Sequence, residues 1–159
     1  MNINMIKCIV SDFSWVLLFP KDPQYQGRLN SLHVELLAGG DYDFWSYFKL
    51  NDELLEYYKT LIDQYSLYIF TAEYIQEYPP VKEIISKVFQ KVYIAAEMGT
   101  TKSNVKAYEN LTARLGVAPD EILFIDDHQE NVDAAAQAGW QTILFENTAK
   151  TIAAVKEKI

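Results

Sequence analysis

Short apolar runs separated by longer stretches with helical spacing set the rhythm of the chain. Met5–Val10 (MIKCIV) is rich in β-branched residues and stops at Ser11-Asp12. Similar runs recur at Leu67–Phe70, Val92–Ala95, Ile122–Ile125 and Thr142–Phe145. Each has strand length, and the turn or charged residues at its ends make a buried strand the reading. Between them, Asn51 can cap a helix carrying Leu54, Tyr58, Leu61 and Ile62, with Asp52 and Glu53 in its first turn. Pro79-Pro80 suits the entry of a second helix, whose inner stripe is Val81, Ile84, Ile85 and Val88. Ser103 or Asn104 starts a third, with Val105, Tyr108, Leu111 and Leu115 inward and Gly116 as the stop. Val132 to Ala138 is an Ala-rich fourth that stops at Gly139, and Thr151 to Lys158 a more polar fifth. Strands alternating with helices in this way predict a parallel sheet covered on both faces, an α/β three-layer sandwich.

Residues 20–50 break the rhythm. They hold Pro20, Pro23, Gly27, Gly39 and Gly40, then an aromatic cluster at Tyr42, Phe44, Trp45, Tyr47 and Phe48. Two readings stand: a small inserted cap, or a long loop pinned by its aromatics. Arg28 could meet an anionic substrate from this segment. The aromatics read as core or cap packing more readily than as a binding surface.

A length of 159 residues suits a single domain, 1–159, with that insertion at about 20–50. The net charge of -8 argues against nucleic acid and anionic membranes, which both draw on clustered Lys and Arg. No apolar run reaches the roughly 20 residues of a spanning helix, and Met1 to Val10 is too short and polar for a signal peptide. The single cysteine, Cys8, cannot form an internal disulfide and reads as a small buried hydrophobe. Together these predict a cytoplasmic protein.

Polar residues cluster where strands end. Asp12 follows the first, Thr71 closes the second, Lys102 lies beyond the third and Asp126-Asp127 close the fourth. In an open parallel sheet, ligands sit beyond the carboxyl ends of the strands where strand order reverses. Clustered carboxylates call for a cation, and Mg2+ suits oxygen donors in octahedral geometry. With a hydroxyl and an ammonium added, the set fits a phosphoryl group. His128 could reach the same pocket, although a lone exposed histidine is more often inert. His33 has no partner within sequence reach.

Four segments resemble the motifs of the haloacid dehalogenase (HAD) superfamily, most of whose members are Mg2+-dependent phosphatases. IVSDFSWVL (9–17) is similar to the first, IFTAE (69–73) to the second and TKSNVKAY (101–108) to the third. FIDDHQENVDAAAQAGW (124–140) is a close match to the fourth. The resemblance implies a Rossmann-like five-stranded sheet of order 5-4-1-2-3. Only 59 positions separate Asp12 from Thr71, so a full helical cap does not fit and the site should be open. It also implies Asp12 as the nucleophile that becomes an aspartyl-phosphate. Ser14, Thr71, Ala72 and Lys102 would bind the substrate, Thr71 by hydrogen bonds to the phosphoryl oxygens and Lys102 by offsetting charge on Asp12 and the phosphate. The metal set would be Asp12, the backbone carbonyl of Ser14 and Asp127, with Asp126 as a further ligand or an outer partner. The expected substrate is a small phosphorylated molecule.

One position departs from the pattern. Ser14 stands where the phosphatases normally carry an acid/base Asp, and Trp15 where Gly is usual. A hydroxyl is a poor general acid near neutral pH. Two other readings therefore accompany the phosphatase: a non-turnover relative that binds a phosphorylated ligand or partner, and a dehalogenase- or phosphonatase-type hydrolase.

Overall fold

A computed structural model describes residues 5–159; of the leading segment, Met1 to Asn4 lie outside the described residues. The elements run β1 (Cys8–Ser11), β2 (Leu18–Pro20), α1 (Leu29–Ala38), α2 (Phe44–Tyr47), β3 (Phe48–Leu50), α3 (Asp52–Lys59), β4 (Ser66–Thr71), α4 (Pro79–Ile85), β5 (Lys91–Ile94), α5 (Val105–Leu115), β6 (Ile122–Asp126), α6 (Gln129–Gln137), β7 (Gln141–Leu144) and α7 (Thr148–Lys158). Short 3-10 turns at Ile75–Glu77 and Pro119–Glu121 complete them. The five expected strands form one sheet of order β5-β4-β1-β6-β7, every pair parallel. Counted in chain order, that is the arrangement the family resemblance implies.

Side-chain alternation splits the core into two layers. On β1, Ile9 joins one apolar cluster while Cys8 and Val10 join the other; on β6, Leu123 and Ile125 oppose Ile122 and Phe124. The first cluster packs under α3, α4 and α7 through Leu54, Val81 and Val155, the second under α5 and α6 through Leu111 and Ala135. Both faces are thus covered, the usual state of a parallel sheet. Asn51 caps α3 by accepting from the Leu54 N–H, and Asn104 caps α5 by accepting from Lys106. Gly116 ends α5 at φ 70°, a left-handed conformation that costs glycine nothing. The third helix ends sooner than its pattern suggests: α3 stops at Lys59 and Ile62 is 42% exposed. Among the described residues no helix is long and apolar enough to cross a membrane.

The 20–50 segment is neither a plain loop nor a separate layer. β2 and β3 pair antiparallel, Leu18 opposite Leu50 and Pro20 opposite Phe48, and the chain between them carries α1 and the single turn α2. The aromatics are packing residues: Phe44 and Phe48 are buried with ring centroids 4.6 Å apart, and Tyr42 stacks on Tyr78 at 5.9 Å. His33 does find a partner, its Nδ1 lying 2.6 Å from the Tyr42 hydroxyl.

Candidate active site

The carboxyl ends of β1, β4 and β6 open into a cleft of about 870 Å3. Asp12, Ser14, Thr71, Ala72, Lys102 and Asp127 all line it; of the candidate residues only Asp126 does not. A second depression, about 890 Å3, lies by Lys7, Ile62 and Tyr65, where none of the strand-end candidates reaches.

Asp12 leaves β1 with its backbone N–H donating to the Ile125 carbonyl at 2.8 Å. Its Oδ1 accepts from the Phe13 N–H at 2.7 Å and from Lys102 Nζ at 2.7 Å. Lys102 arrives from the loop after β5, and its own carbonyl accepts the buried Tyr108 hydroxyl at 2.7 Å. Burial beside Asp126 and Asp12 pushes the Tyr108 phenol far up, so it stays a donor. The Lys102 ammonium lies 5.5 Å from the ring centres of Phe70 and Phe124, close enough for their faces to favour the cation. It also reaches Asp126 Oδ2 at 2.5 Å.

Asp126 is fully buried and its oxygens are already engaged. The His128 N–H donates to Oδ1 at 2.8 Å, and the Asn131 side-chain amide lies 3.2 Å from both oxygens. Asp127 is partly exposed to the cleft and contacts His128 Nδ1 at 3.2 Å. Thr71 is buried at the end of β4, and its carbonyl accepts from Ala95.

The electrostatics of this group favour a cation. Burial raises the Asp12 carboxyl well above the ordinary range; Lys102 opposes that shift, while Asp126 and Asp127 add to it. Burial disfavours the Lys102 ammonium, but Asp12 and Asp126 more than offset this and hold its pKa above the usual value. Three acids face one ammonium in a poorly solvated site. Ser14 adds two unsatisfied oxygens: its hydroxyl is buried without a hydrogen-bond partner, and its carbonyl accepts no hydrogen bond among the described residues. Carboxylates plus an orphan carbonyl are the hard donors that Mg2+ takes.

Trp15 follows with φ 64°, the left-handed region that residues with a Cβ rarely enter. Its indole N–H donates to the Gly27 carbonyl at 3.2 Å and its ring meets Phe19 edge-on at 6.0 Å. The insertion is thereby drawn over the cleft, and Gln26 to Asn30 form one wall of it. Two further ties hold it there. Arg28 pairs with Glu73 at 2.7 Å, and Asn30 Oδ1 accepts from the N–H groups of Tyr74 and Ile75 at 3.1 and 2.8 Å. Sequence reasoning missed Asn30 and Glu73. Asn30 has no motif around it, and its partners lie 44 and 45 residues away.

A family model for haloacid dehalogenase-like hydrolases matches residues 20–139, which include Thr71, Lys102 and Asp126-Asp127. Among curated proteins, the enolase-phosphatase of Enterobacter sp. is 48% identical over 42 residues, 26% of this chain and 18% of that protein. The Erwinia tasmaniensis enolase-phosphatase is 39% identical over 51 residues, 32% of this chain and 22% of that protein. The chain thus spans about a fifth of the length of the curated relatives it matches. Among solved structures, a predicted HAD-like family hydrolase of Porphyromonas gingivalis superposes with a TM-score of 0.68 at 22% identity, covering 96% of this chain and 97% of that one. A HAD-family enzyme of Bacteroides thetaiotaomicron, in complex with magnesium and inorganic phosphate, gives 0.66 at 17% identity over 87% of this chain and 93% of that one. A dehalogenase with an intermediate complex also gives 0.66, at 14% identity over 91% and 88% of the two chains.

Proposed function

The chain belongs to the haloacid dehalogenase-like hydrolases, and from that premise we propose that it is a Mg2+-dependent phosphatase working through an aspartyl-phosphate on Asp12. The observation that supports this most is Lys102 held between Asp12 and Asp126 on the floor of a cleft that Asp127 also lines. A buried carboxylate with an ammonium at 2.7 Å is oriented for attack on phosphorus, and the ammonium opposes the rise in pKa that burial causes. Thr71, with the backbone around Ala72, faces the phosphoryl oxygens from β4. Asp12, Asp127 and the Ser14 carbonyl would hold Mg2+, which when bound neutralises charge on the transferring group. Asp126 acts from behind. Its oxygens fix Lys102, the His128 N–H and Asn131, which supports the role of outer partner over that of direct ligand.

The roles form a sequence of steps. The Asp12 carboxylate attacks phosphorus, the bond to the leaving oxygen breaks, and Lys102 steadies the charge spread over Asp12 and the phosphoryl oxygens. Water then attacks the phosphorus of the aspartyl-phosphate and releases inorganic phosphate. The crystallised complex of the Bacteroides neighbour with magnesium and inorganic phosphate is consistent with this assignment. The phosphatase names of the partial relatives are too.

The test is phosphate release from a panel of phosphoesters and acyl phosphates with Mg2+, comparing wild type with Asp12→Asn. Release that needs both Mg2+ and Asp12 is expected. A folded wild-type protein releasing no more than Asp12→Asn would overturn the proposal in favour of a non-turnover binding protein. Release of halide without any metal requirement would point to dehalogenase chemistry instead.

A further inference from the structure

We infer that the cleft reads a second anionic group on its substrate, a carboxylate a few atoms from the phosphoryl group, through Arg28 and the first turn of α1. This rests on the phosphatase reading and narrows its substrate class to small phosphorylated acids. Gly27, Arg28, Leu29 and Asn30 line the cleft, so α1 begins on its wall. Arg28 is the extended residue just before the helix, and no side chain caps that end. The first helical bond runs from the Leu32 N–H to the Arg28 carbonyl at 3.2 Å. The N–H groups of Leu29, Asn30 and Ser31 ahead of it meet no acceptor among the described residues, and no acid stands in the first turn. A helix end of this kind carries about half a positive charge and offers its N–H groups to an anion.

Two side chains make this more than a bare helix end. Asn30 is only 8% exposed, and its Oδ1 is taken by the N–H groups of Tyr74 and Ile75. Its amide nitrogen, with two N–H donors, has no acceptor among the described residues, and the residue lines the cleft. Arg28 is the other. Its backbone is fixed by the Tyr25 hydroxyl, which donates to the Arg28 carbonyl at 2.8 Å. Glu73 Oε1 accepts from one guanidinium nitrogen, Nη2, at 2.7 Å. A guanidinium has five N–H donors, so this bond leaves most of them free, and its planar fork matches a carboxylate through two parallel bonds. Glu73 thus aims the fork without using it up.

Charge selects the kind of anion. Glu73 offsets Arg28, and what remains is the roughly half unit of positive charge at the helix end. That suits a singly charged carboxylate better than a doubly charged phosphate. Chain geometry sets its distance from the reacting centre. Glu73 follows Thr71 by two residues, at most about 7 Å of chain, so the second anion lies close to the phosphoryl group that Thr71 faces. Trp15 ties the helix entry to the same end of the cleft, since it follows Ser14 and its indole N–H donates to the Gly27 carbonyl.

The experiment compares two substrates that differ in charge at one end, phosphoglycolate and hydroxyethyl phosphate, with Mg2+. The proteins are wild type, Arg28→Ala and Asn30→Asp, each with a urea midpoint to separate lost recognition from lost structure. Asn30→Asp keeps an oxygen for the Tyr74 and Ile75 N–H groups and puts an anion in place of the amide donor. Wild type should favour phosphoglycolate at least about tenfold in kcat/KM, expressed in KM, the scale of a charge-assisted hydrogen bond. Arg28→Ala should bring the ratio to about one, and Asn30→Asp should lower it about fivefold or more. Equal turnover of the two substrates by wild type, or a preference that survives in both variants, would overturn the inference and leave the phosphatase reading standing. Turnover of neither, by a wild type that hydrolyses other phosphoesters, would do the same. A preference for fructose bisphosphate over the monophosphate, without one for phosphoglycolate, would overturn the carboxylate and assign the subsite to a second phosphate. No release from any phosphoester above Asp12→Asn would overturn the phosphatase reading itself.

Discussion

Lys102 Nζ lies 2.5 Å from Asp126 Oδ2, although Lys102 follows β5 while Asp126 closes β6 and is shut off from solvent. The same ammonium holds Asp12 at 2.7 Å, so one cation keeps two buried carboxylates in place. Lys102→Met should therefore cost stability as well as activity. Leaving a buried charge unpaired costs about 3–5 kcal/mol, which a urea titration would register as a lower midpoint. A Lys102→Met protein as stable as wild type would mean that the pair is not buried in solution as described.

Asp126 and Asp127 should separate by phenotype. Asp127→Asn changes a cleft-lining carboxylate, and the Mg2+ concentration needed for half-maximal phosphate release should rise at least about tenfold. Asp126→Asn removes the anion that anchors Lys102, and should mainly lower kcat and stability. Equal Mg2+ titrations for the two variants would contradict the division of labour.

Trp15 occupies a backbone conformation at φ 64° that favours glycine. Both Trp15→Gly and Trp15→Ala lose the indole bond to Gly27 and the packing on Phe19. Trp15→Gly should nonetheless be the more stable of the two, by about 1 kcal/mol, since alanine keeps the left-handed strain. At ordinary positions the order is reversed, so thermal melts of the pair distinguish the strained backbone from an ordinary one.

Two ties of the insertion have similar bond lengths and should differ in energy. Arg28 and Glu73 are both substantially exposed, so Arg28→Ala should cost less than about 1 kcal/mol. Asn30 is buried, and Asn30→Ala strands two backbone N–H groups, at about 1–3 kcal/mol. Amide exchange should show Tyr74 and Ile75 opening in Asn30→Ala and not in Arg28→Ala.

His33 should make stability fall in mild acid. Burial lowers its pKa below the ordinary 6.5, and no carboxylate pairs with it among the described residues. As pH drops below 6.5 the unfolded chain takes up a proton that the folded chain resists, so stability is lost on acidification and regained as pH rises. Denaturation measured between pH 7 and pH 5 should show a smaller loss in His33→Gln than in wild type. Parallel pH profiles would mean that His33 is not the group responsible.

The β-branched runs ending in Asp12, Thr71 and Asp126 settle a parallel sheet and the end of it where the candidate site residues gather, because strand direction and strand-end position are local properties of sequence. The caps at Asn51, Asn104 and Gly116 are legible for the same reason. β2 and β3 are not: three residues each, one of them Pro20, are too few to show a period, and they exist through pairing across the insertion. Asp126 and Asp127 are chemically equivalent in the sequence. Only tertiary packing sinks the first beneath Lys102 and Asn131 and leaves the second on the cleft. The direction in which residues 21–47 fold is likewise decided only where Trp15, Arg28 and Asn30 meet partners beyond their own strand and helix. Contacts that span tens of residues carry no local signature, so the wall they build over the site belongs to the fold alone.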